Sequence, residues 1–425
     1  MKLSLMLCTL LNWTDYFEKD TMMIKYIQKD SVTYWQAILA LFLGSFVTFA
    51  LLYCTQPLIP VFSKEFQITP ASASLSVSFA TGCLAIFMLL MSWLSDAKGR
   101  KIIMTVSLLG SAILTIIAAF SNNFTILLAI RALQGMLLAG FPAIAMAYIN
   151  EEFHATNLGL VMGIYVSGTS VGGLAGRIIV SICTDFFSWH AALATIGLIS
   201  VLVSIWFWYN LPNSRHFSPQ KRLAKDLILS LAKNLSDWNL IVLYSVAFLT
   251  MGGFVTLYNY IGYPLMSAPY NLSQTAVGCI FMVYLVGTFS ATFMGRLADR
   301  SGGSKVLCLG IGMMITGAVI TLTTDLYIKI LGVAIFTFGF FGSHSVASSW
   351  VGRRAGLDKA QASSLYLMFY YIGSSVIGSI GGGFLRLYGW NGVVFLISIS
   401  LLLALLMAAS LIHTHNNKPK EQQTA

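Results

Sequence analysis

Residues 92–102 read SWLSDAKGRKI, and residues 295–303 read GRLADRSGG. Each stretch joins the end of one long apolar run to the start of the next. Each sets an aspartate three positions before a glycine, at Asp96 and Gly99 and again at Asp299 and Gly302. The two aspartates are 203 positions apart in a chain of 425 residues, so the sequence reads as six helices written twice. Asp96 ends a helix, where the helix dipole disfavours an anion, so it calls for a cationic partner or the N-terminus of another helix. Gly99 permits the tight reversal that follows.

Composition places these helices in lipid. Hydrophobic residues make up 57% of the chain and charged residues 9%, against about a quarter charged in a soluble domain. A hydrocarbon core about 30 Å thick takes roughly 20 apolar residues per helix. Spans are expected at 34–56, 72–95, 102–120, 124–149, 157–182, 190–211, 239–263, 273–297, 305–323, 328–351, 362–385 and 391–412. The predicted fold class is therefore all-α integral membrane, with 12 transmembrane helices in two six-helix pseudo-repeats. The expected organisation is an N-terminal segment 1–33, a bundle 34–211, a linker 212–238, a second bundle 239–412 and a tail 413–425. Residues 1–22 read as a short cytoplasmic stretch, or as sequence upstream of a start at Met22 or Met23. Leu223–Leu235 of the linker reads as an amphipathic helix lying on the membrane surface.

The net charge of +10 has a topological meaning rather than a nucleic-acid one. With the N-terminus inside, twenty Lys/Arg fall in cytoplasmic segments and three (Lys64, Lys329, Arg386) in outer loops. Two, Arg131 and Arg177, lie inside spans. This bias puts both termini in the cytoplasm of a cell bounded by that membrane. The six cysteines show no CxxC spacing, so neither a disulfide framework nor a metal site is expected. No HExxH, GxSxG or Walker A pattern occurs, and no carboxylate sits at mid-membrane, so neither enzyme chemistry nor a cofactor is expected.

Three motifs carry a resemblance to the major facilitator superfamily over about residues 34–412. The first is the 92–102 loop, in which Asp96, Gly99, Arg100 and Lys101 match the family pattern while Ser92 and Ala97 depart from it. The second is Arg131-Ala-Leu-Gln134-Gly135 in span four, matching R-x-x-Q-G. The third is Gly163-x4-Gly168-Thr169-x2-Gly172-Gly173 in span five, similar to the antiporter motif with Thr169 in place of proline. The stretches 74–82 and 339–354 resemble bacterial inner-membrane proteins of the drug/proton antiporter branch, in the acriflavine-sensitivity, YnfM-like group. The resemblance implies a latch between the halves at Asp96, Gly99 and Arg100, with Asp299 and Gly302 as a weaker copy. It implies a proton-linked role for Arg131. It also implies close packing through Gly163, Gly168, Gly172 and Gly173, expected against span eight.

In that fold spans one, four, seven and ten line a central cavity. The substrate-binding candidates are Tyr53, Gln56, Arg131, Gln134, Tyr258, Asn259 and His344, with Tyr370 from span eleven. His344 either binds the coupling proton or is a neutral group hydrogen-bonded between helices. Arg131, costing roughly 2.5–3.5 kcal/mol to bury, either attracts an anionic solute or is an arginine that snorkels or is satisfied by carbonyls. Arg177 is expected to snorkel to the outer interface. Asp96 or Glu151 is expected to partner an arginine at the cytoplasmic edge. The expected activity is proton-coupled export of a small organic or drug-like molecule by a monomer in the bacterial inner membrane. The alternative is uptake or facilitated transport of a small metabolite, anions being among the candidates. The partners implied are a small-molecule substrate, protons and the lipid bilayer.

Overall fold

The computed structural model describes residues 26, 27, 29, 31–214, 224–355 and 359–416. Among these, eleven long apolar helical segments follow one another, and the last is two helices divided at Gly389. The twelve are α1 (Val32–Glu65), α2 (Pro70–Ser95), α3 (Arg100–Ala119), α4 (Phe124–Glu152), α5 (Leu158–Phe186) and α6 (Trp189–Asn210), followed by α7 (Trp238–Met266), α8 (Gln274–Ser301), α9 (Gly303–Ile320) and α10 (Leu326–Arg354), with α11 (361–388) and α12 (390–411) closing the series. The face where α1 begins and α12 ends is called proximal, and the opposite face distal.

The helix ends follow local chemistry. Every even-numbered helix up to α10 starts at the distal face behind a side chain that accepts from its first free amides: Thr69, Asn123, Ser188, Ser273 and Asp325. A helix start carries unsatisfied N–H groups, which are costly near lipid, so short polar residues recur there. At the proximal face α2 and α8 both stop at a glycine in the left-handed region, Gly99 at φ +96° and Gly302 at φ +92°. Their amides donate back to Ser95 O (2.9 Å) and Ala298 O (3.0 Å). The duplicated motif is thus a duplicated turn.

Several helices break within the membrane. α1 is helical over Val32–Tyr53, passes through a 3-10 turn at Gln56–Leu58 and resumes at Ile59–Glu65. α4 breaks ahead of Pro142, and α8 contains a 3-10 stretch at Ile280–Val283. Pro57 and Pro142 supply no amide to the helical ladder, so carbonyls are released at these points. Irregular backbone at such depth requires protein partners, and the site below supplies them.

The halves meet through α2 against α11 and through α5 against the distal start of α8. α3, α6, α9 and α12 carry exposed apolar side chains such as Ile113, Leu202, Leu309 and Leu402, as lipid-facing helices do. The linker forms a helix at Ala224–Ser236 beside α7 and the 359–416 segment, with Leu229 and Leu235 exposed and Asn234 buried. Linker residues 215–223 lie outside the described residues.

Candidate functional site

A cavity of about 760 Å³ opens between the halves. Its walls come from α1, α5, α7, α8, α10 and α11. α4, expected as a wall, contributes no residue; α5 and α8 line the cavity unexpectedly, and α11 does so with the expected Tyr370. The cavity extends from Arg177, deep in α5, to Gly159 in the first turn of that helix at the proximal face. Aromatic rings dominate it. Phe254 and Phe340 stack with centroids 3.8 Å apart, and Tyr53, Tyr284, Tyr370 and Tyr371 surround them. Among the described residues the hydroxyls of those four tyrosines make no hydrogen bond within the protein, which leaves them available to a solute.

Two ionisable side chains line this aromatic space. His344 of α10 is half-buried, its Nδ1 2.9 Å from the Tyr366 hydroxyl and its ring 4.8 Å from that of Tyr370. Arg177 is only 2% exposed. Its Nε donates to Gln56 Oε1 (2.7 Å) and its Nη1 to Gly173 O (2.5 Å). Its guanidinium lies over the rings of Tyr53 (4.4 Å), Phe281 (4.9 Å) and Tyr284 (5.0 Å). Arg177 therefore does not snorkel to the interface. The aromatic faces and the Gln56 carbonyl hold its charge at depth.

The distal end of the cavity is closed by bonds between the halves. Gln56 Nε2 donates to Asn259 Oδ1 (2.8 Å), and these two residues are themselves 203 positions apart, equivalent sites of the two repeats bonded to each other. Gln274 Nε2 donates to Pro57 O (2.6 Å), Tyr263 to Ile59 O (3.3 Å), and the Thr275 amide to Asp185 (3.1 Å). Ser379 and Ser375 of α11 pair with Ser78 and Thr81 of α2, each at 2.8 Å. Among the described residues, the hydrogen bonds that join the two halves all lie between mid-span and the distal face.

The two six-helix halves thus enclose a cavity sealed at its distal end. The Major Facilitator Superfamily model matches residues 41–269 and 243–425. The chain belongs to the Major Facilitator Superfamily. It is 48% identical to the "Uncharacterized MFS-type transporter YybF" of Bacillus subtilis (strain 168), over 91% of this chain and 96% of that protein. It is 44% identical to the "Inner membrane transport protein YnfM" of Escherichia coli (strain K12), over 91% and 93% respectively. A solved bacterial homolog of the human lysosomal transporter Spinster, inward-facing and occupied, shares the fold with a TM-score of 0.74. That likeness covers 92% of this chain and 98% of the other at 14% identity, and it is one of fold.

The family signatures occupy positions in this transporter that differ in part from those expected. Arg131 and Gln134 do not line the cavity. Arg131 is 1% exposed, within the first half. Its Nη1 donates to Leu51 O (2.9 Å), its Nη2 to Leu52 O (2.6 Å) and its Nε to Ser76 O (2.7 Å), and Nη1 also meets Gln134 Oε1. The Leu51 and Leu52 carbonyls end the first helical part of α1. Arg131 thus caps the break in α1, where orphan carbonyls and the negative end of the dipole favour a cation. Gln134 donates to Thr115 Oγ1 (2.6 Å) and Ser111 O (3.3 Å) of α3. One motif on α4 therefore ties down α1 and α3.

The glycines of α5 likewise face a neighbour other than the expected α8. A Cβ on Gly168 would lie 2.4 Å from Phe42 O, and one on Gly172 2.2 Å from Phe46 O, so both pack against α1 of the same half. Gly163 has open space around it and lines the cavity, and a Cβ on Gly173 would meet only Arg177. α5 meets α8 from the distal end, where Gly278 faces Ser181, to the level of Arg177, which lies over Phe281 and Tyr284.

At the proximal loop Arg100 binds Glu151 through Nε (3.2 Å) and Nη2 (2.7 Å), and Ser95 Oγ through Nη1 (3.1 Å). It therefore joins α3 to α4 within the first half at this open face. The Asp96 side chain lies outside the described residues. Asp299 is exposed.

Of the remaining candidates, Tyr53, His344 and Tyr370 line the cavity. Gln56 and Asn259 form the seal instead. Tyr258 stands behind the wall, its hydroxyl 2.7 Å from Thr337 Oγ1 and its ring edge-on to Tyr284. Arg177 and Tyr284 are the lining residues the sequence reading missed. A signal for Arg177 existed, since it is one of two arginines inside spans and stands one helical turn from Gly173.

Proposed function

We propose that the protein is a secondary transporter that exports a small amphipathic organic molecule across the bacterial inner membrane, driven by the proton gradient. The observation that carries this reading is the asymmetry of the cavity. It reaches the proximal face and is shut by cross-half bonds at the distal face, one stage of an alternating-access cycle. The proximal face is assigned to the cytoplasm on the excess of Lys/Arg there. In the proposed direction the cavity loads from inside and releases outside once the seal transfers to the proximal ends; the resemblance of the α5 glycine motif to that of antiporters, not the cavity's shape, is what favours export. Stacked aromatic rings and free phenol hydroxyls suit a solute that is mostly apolar with a few polar groups. His344, at the cavity wall and bonded to Tyr366, is the proposed proton carrier.

The test begins with deletion and overexpression strains screened for altered tolerance to amphipathic compounds. A compound that responds is then followed in proteoliposomes with and without an imposed pH gradient. Accumulation that ignores the gradient removes proton coupling, and a gradient-driven flux in the inward direction reverses the assignment to export. His344→Gln is expected to transport at a rate no longer raised by the gradient while folding like the parent. Gradient-driven flux unchanged in that variant would exclude His344 as the carrier.

A further inference from the structure

Arg177 unites two features that no other described side chain combines: it lines the solute cavity, and it is bonded to the seal. Its positive charge is 2% exposed, and among the described residues no carboxylate pairs with it and its Nη2 makes no hydrogen bond. A guanidinium held only by two neutral acceptors and three aromatic rings keeps most of its capacity for an anion. The rings of Tyr53 and Tyr284, which bracket the guanidinium, also line the cavity. An aromatic or otherwise planar body bearing a carboxylate matches that arrangement: its ring rests among Tyr53, Tyr284 and Phe254, and its carboxylate meets Nη2 and Nε.

The second feature gives such binding a consequence. Nε is occupied by Gln56 Oε1, and Gln56 Nε2 is the donor to Asn259 across the repeat axis. Cavity wall, arginine, glutamine and opposite half form one hydrogen-bonded chain. An anion that takes Nε releases Gln56 and weakens the bond at the axis of the two repeats.

We propose that Arg177 is the anion-binding residue of the central cavity, that it selects solutes carrying a carboxylate on a planar apolar body, and that its occupation by the anion loosens the distal seal through Gln56 and Asn259. This rests on the transport reading above, of which it specifies the substrate class. A charge series on one ring tests it: benzoate, benzamide and benzylamine, measured by equilibrium dialysis against the full-length protein in nanodiscs. Benzoate is expected to bind at least tenfold more tightly than the other two, and Arg177→Gln is expected to abolish that preference. Arg177→Lys should restore part of it, because a single ammonium keeps the charge and loses the fork. In a cysteine-substituted background, Ser181→Cys reports the seal through its reaction with an impermeant maleimide added from the distal side. Benzoate should speed that labelling severalfold, and Gln56→Leu should speed it without any probe.

Benzoate binding absent, or no tighter than benzamide binding to the unaltered protein, overturns the proposal without appeal to any variant. So does an Arg177→Gln protein that keeps the preference. Gly163→Trp, which fills the cavity, separates this failure from that of the transport reading. If it removes binding of all three probes while charge makes no difference, the cavity stands and Arg177 loses its role. If binding ignores Gly163→Trp altogether, both fall.

Discussion

Arg131→Ala is expected to yield little folded transporter. The substitution removes the donors to Leu51 O, Leu52 O and Ser76 O, and the side chain held against Gln134. A buried acceptor left without a partner costs about 1–3 kcal/mol. Leu51 O keeps the Cys54 thiol and Ser76 O keeps the Thr55 hydroxyl, but all three carbonyls lose a charge-assisted bond, so a loss of about 3 kcal/mol is expected. Arg131→Lys should be intermediate, since an ammonium reaches fewer of these carbonyls than the planar guanidinium does. The measurement is thermal unfolding monitored by fluorescence-detected size-exclusion chromatography. An Arg131→Ala protein that elutes as a single peak with parental stability would refute the capping role. Because the effect is on folding, it should also appear with no substrate or gradient present.

Two glycines of the same α5 motif should part company in the second experiment. Gly172→Leu places a branched side chain where even a Cβ would sit 2.2 Å from the Phe46 carbonyl oxygen. Backbone cannot swing aside as a side chain does, so α5 must separate from α1 over more than a turn. Overpacking of this kind typically costs about 1–3 kcal/mol or more, and here it also pulls at Gly168, one turn away. Folded yield should drop steeply. Gly163→Trp, nine residues earlier in α5, meets open cavity and should fold normally. Its indole occupies the space a solute needs, so flux of any substrate found by screening should fall at least tenfold. The pair is read by size-exclusion profile and flux together. A well-folded Gly172→Leu protein, or a fully active Gly163→Trp protein, contradicts the placement of these residues.

The spanning helices were legible because lipid imposes a length and forbids charge. Twelve apolar runs, a cationic bias in alternate loops and a turn repeated after 203 residues left few other arrangements. Tyr53, His344 and Tyr370 were legible as cavity residues because polar groups on helices of that kind need water or a solute beside them. Arg177 at the interface, and Arg131 as a cavity residue instead of the carbonyl-satisfied one it is, are misplaced for a common reason. Depth in a span follows from counting residues, but the direction a side chain faces depends on where a helix breaks and which neighbour approaches. The 3-10 turn at Gln56–Leu58 frees the carbonyls that Arg131 caps, and it brings Gln56 within reach of Arg177. Nothing in a local stretch of sequence states either outcome.

By itself the sequence determined that this chain spans the bilayer, how many times, and that its two halves share one plan. The tertiary structure alone decided which arginine meets the solute space, that the α5 glycines serve α1, and that Gln56 and Asn259, equivalent positions of the repeat, close the distal side by bonding to each other. The division has a physical basis. Insertion into lipid is settled segment by segment from hydrophobicity, whereas a cavity and its seal depend on distances between segments two hundred residues apart.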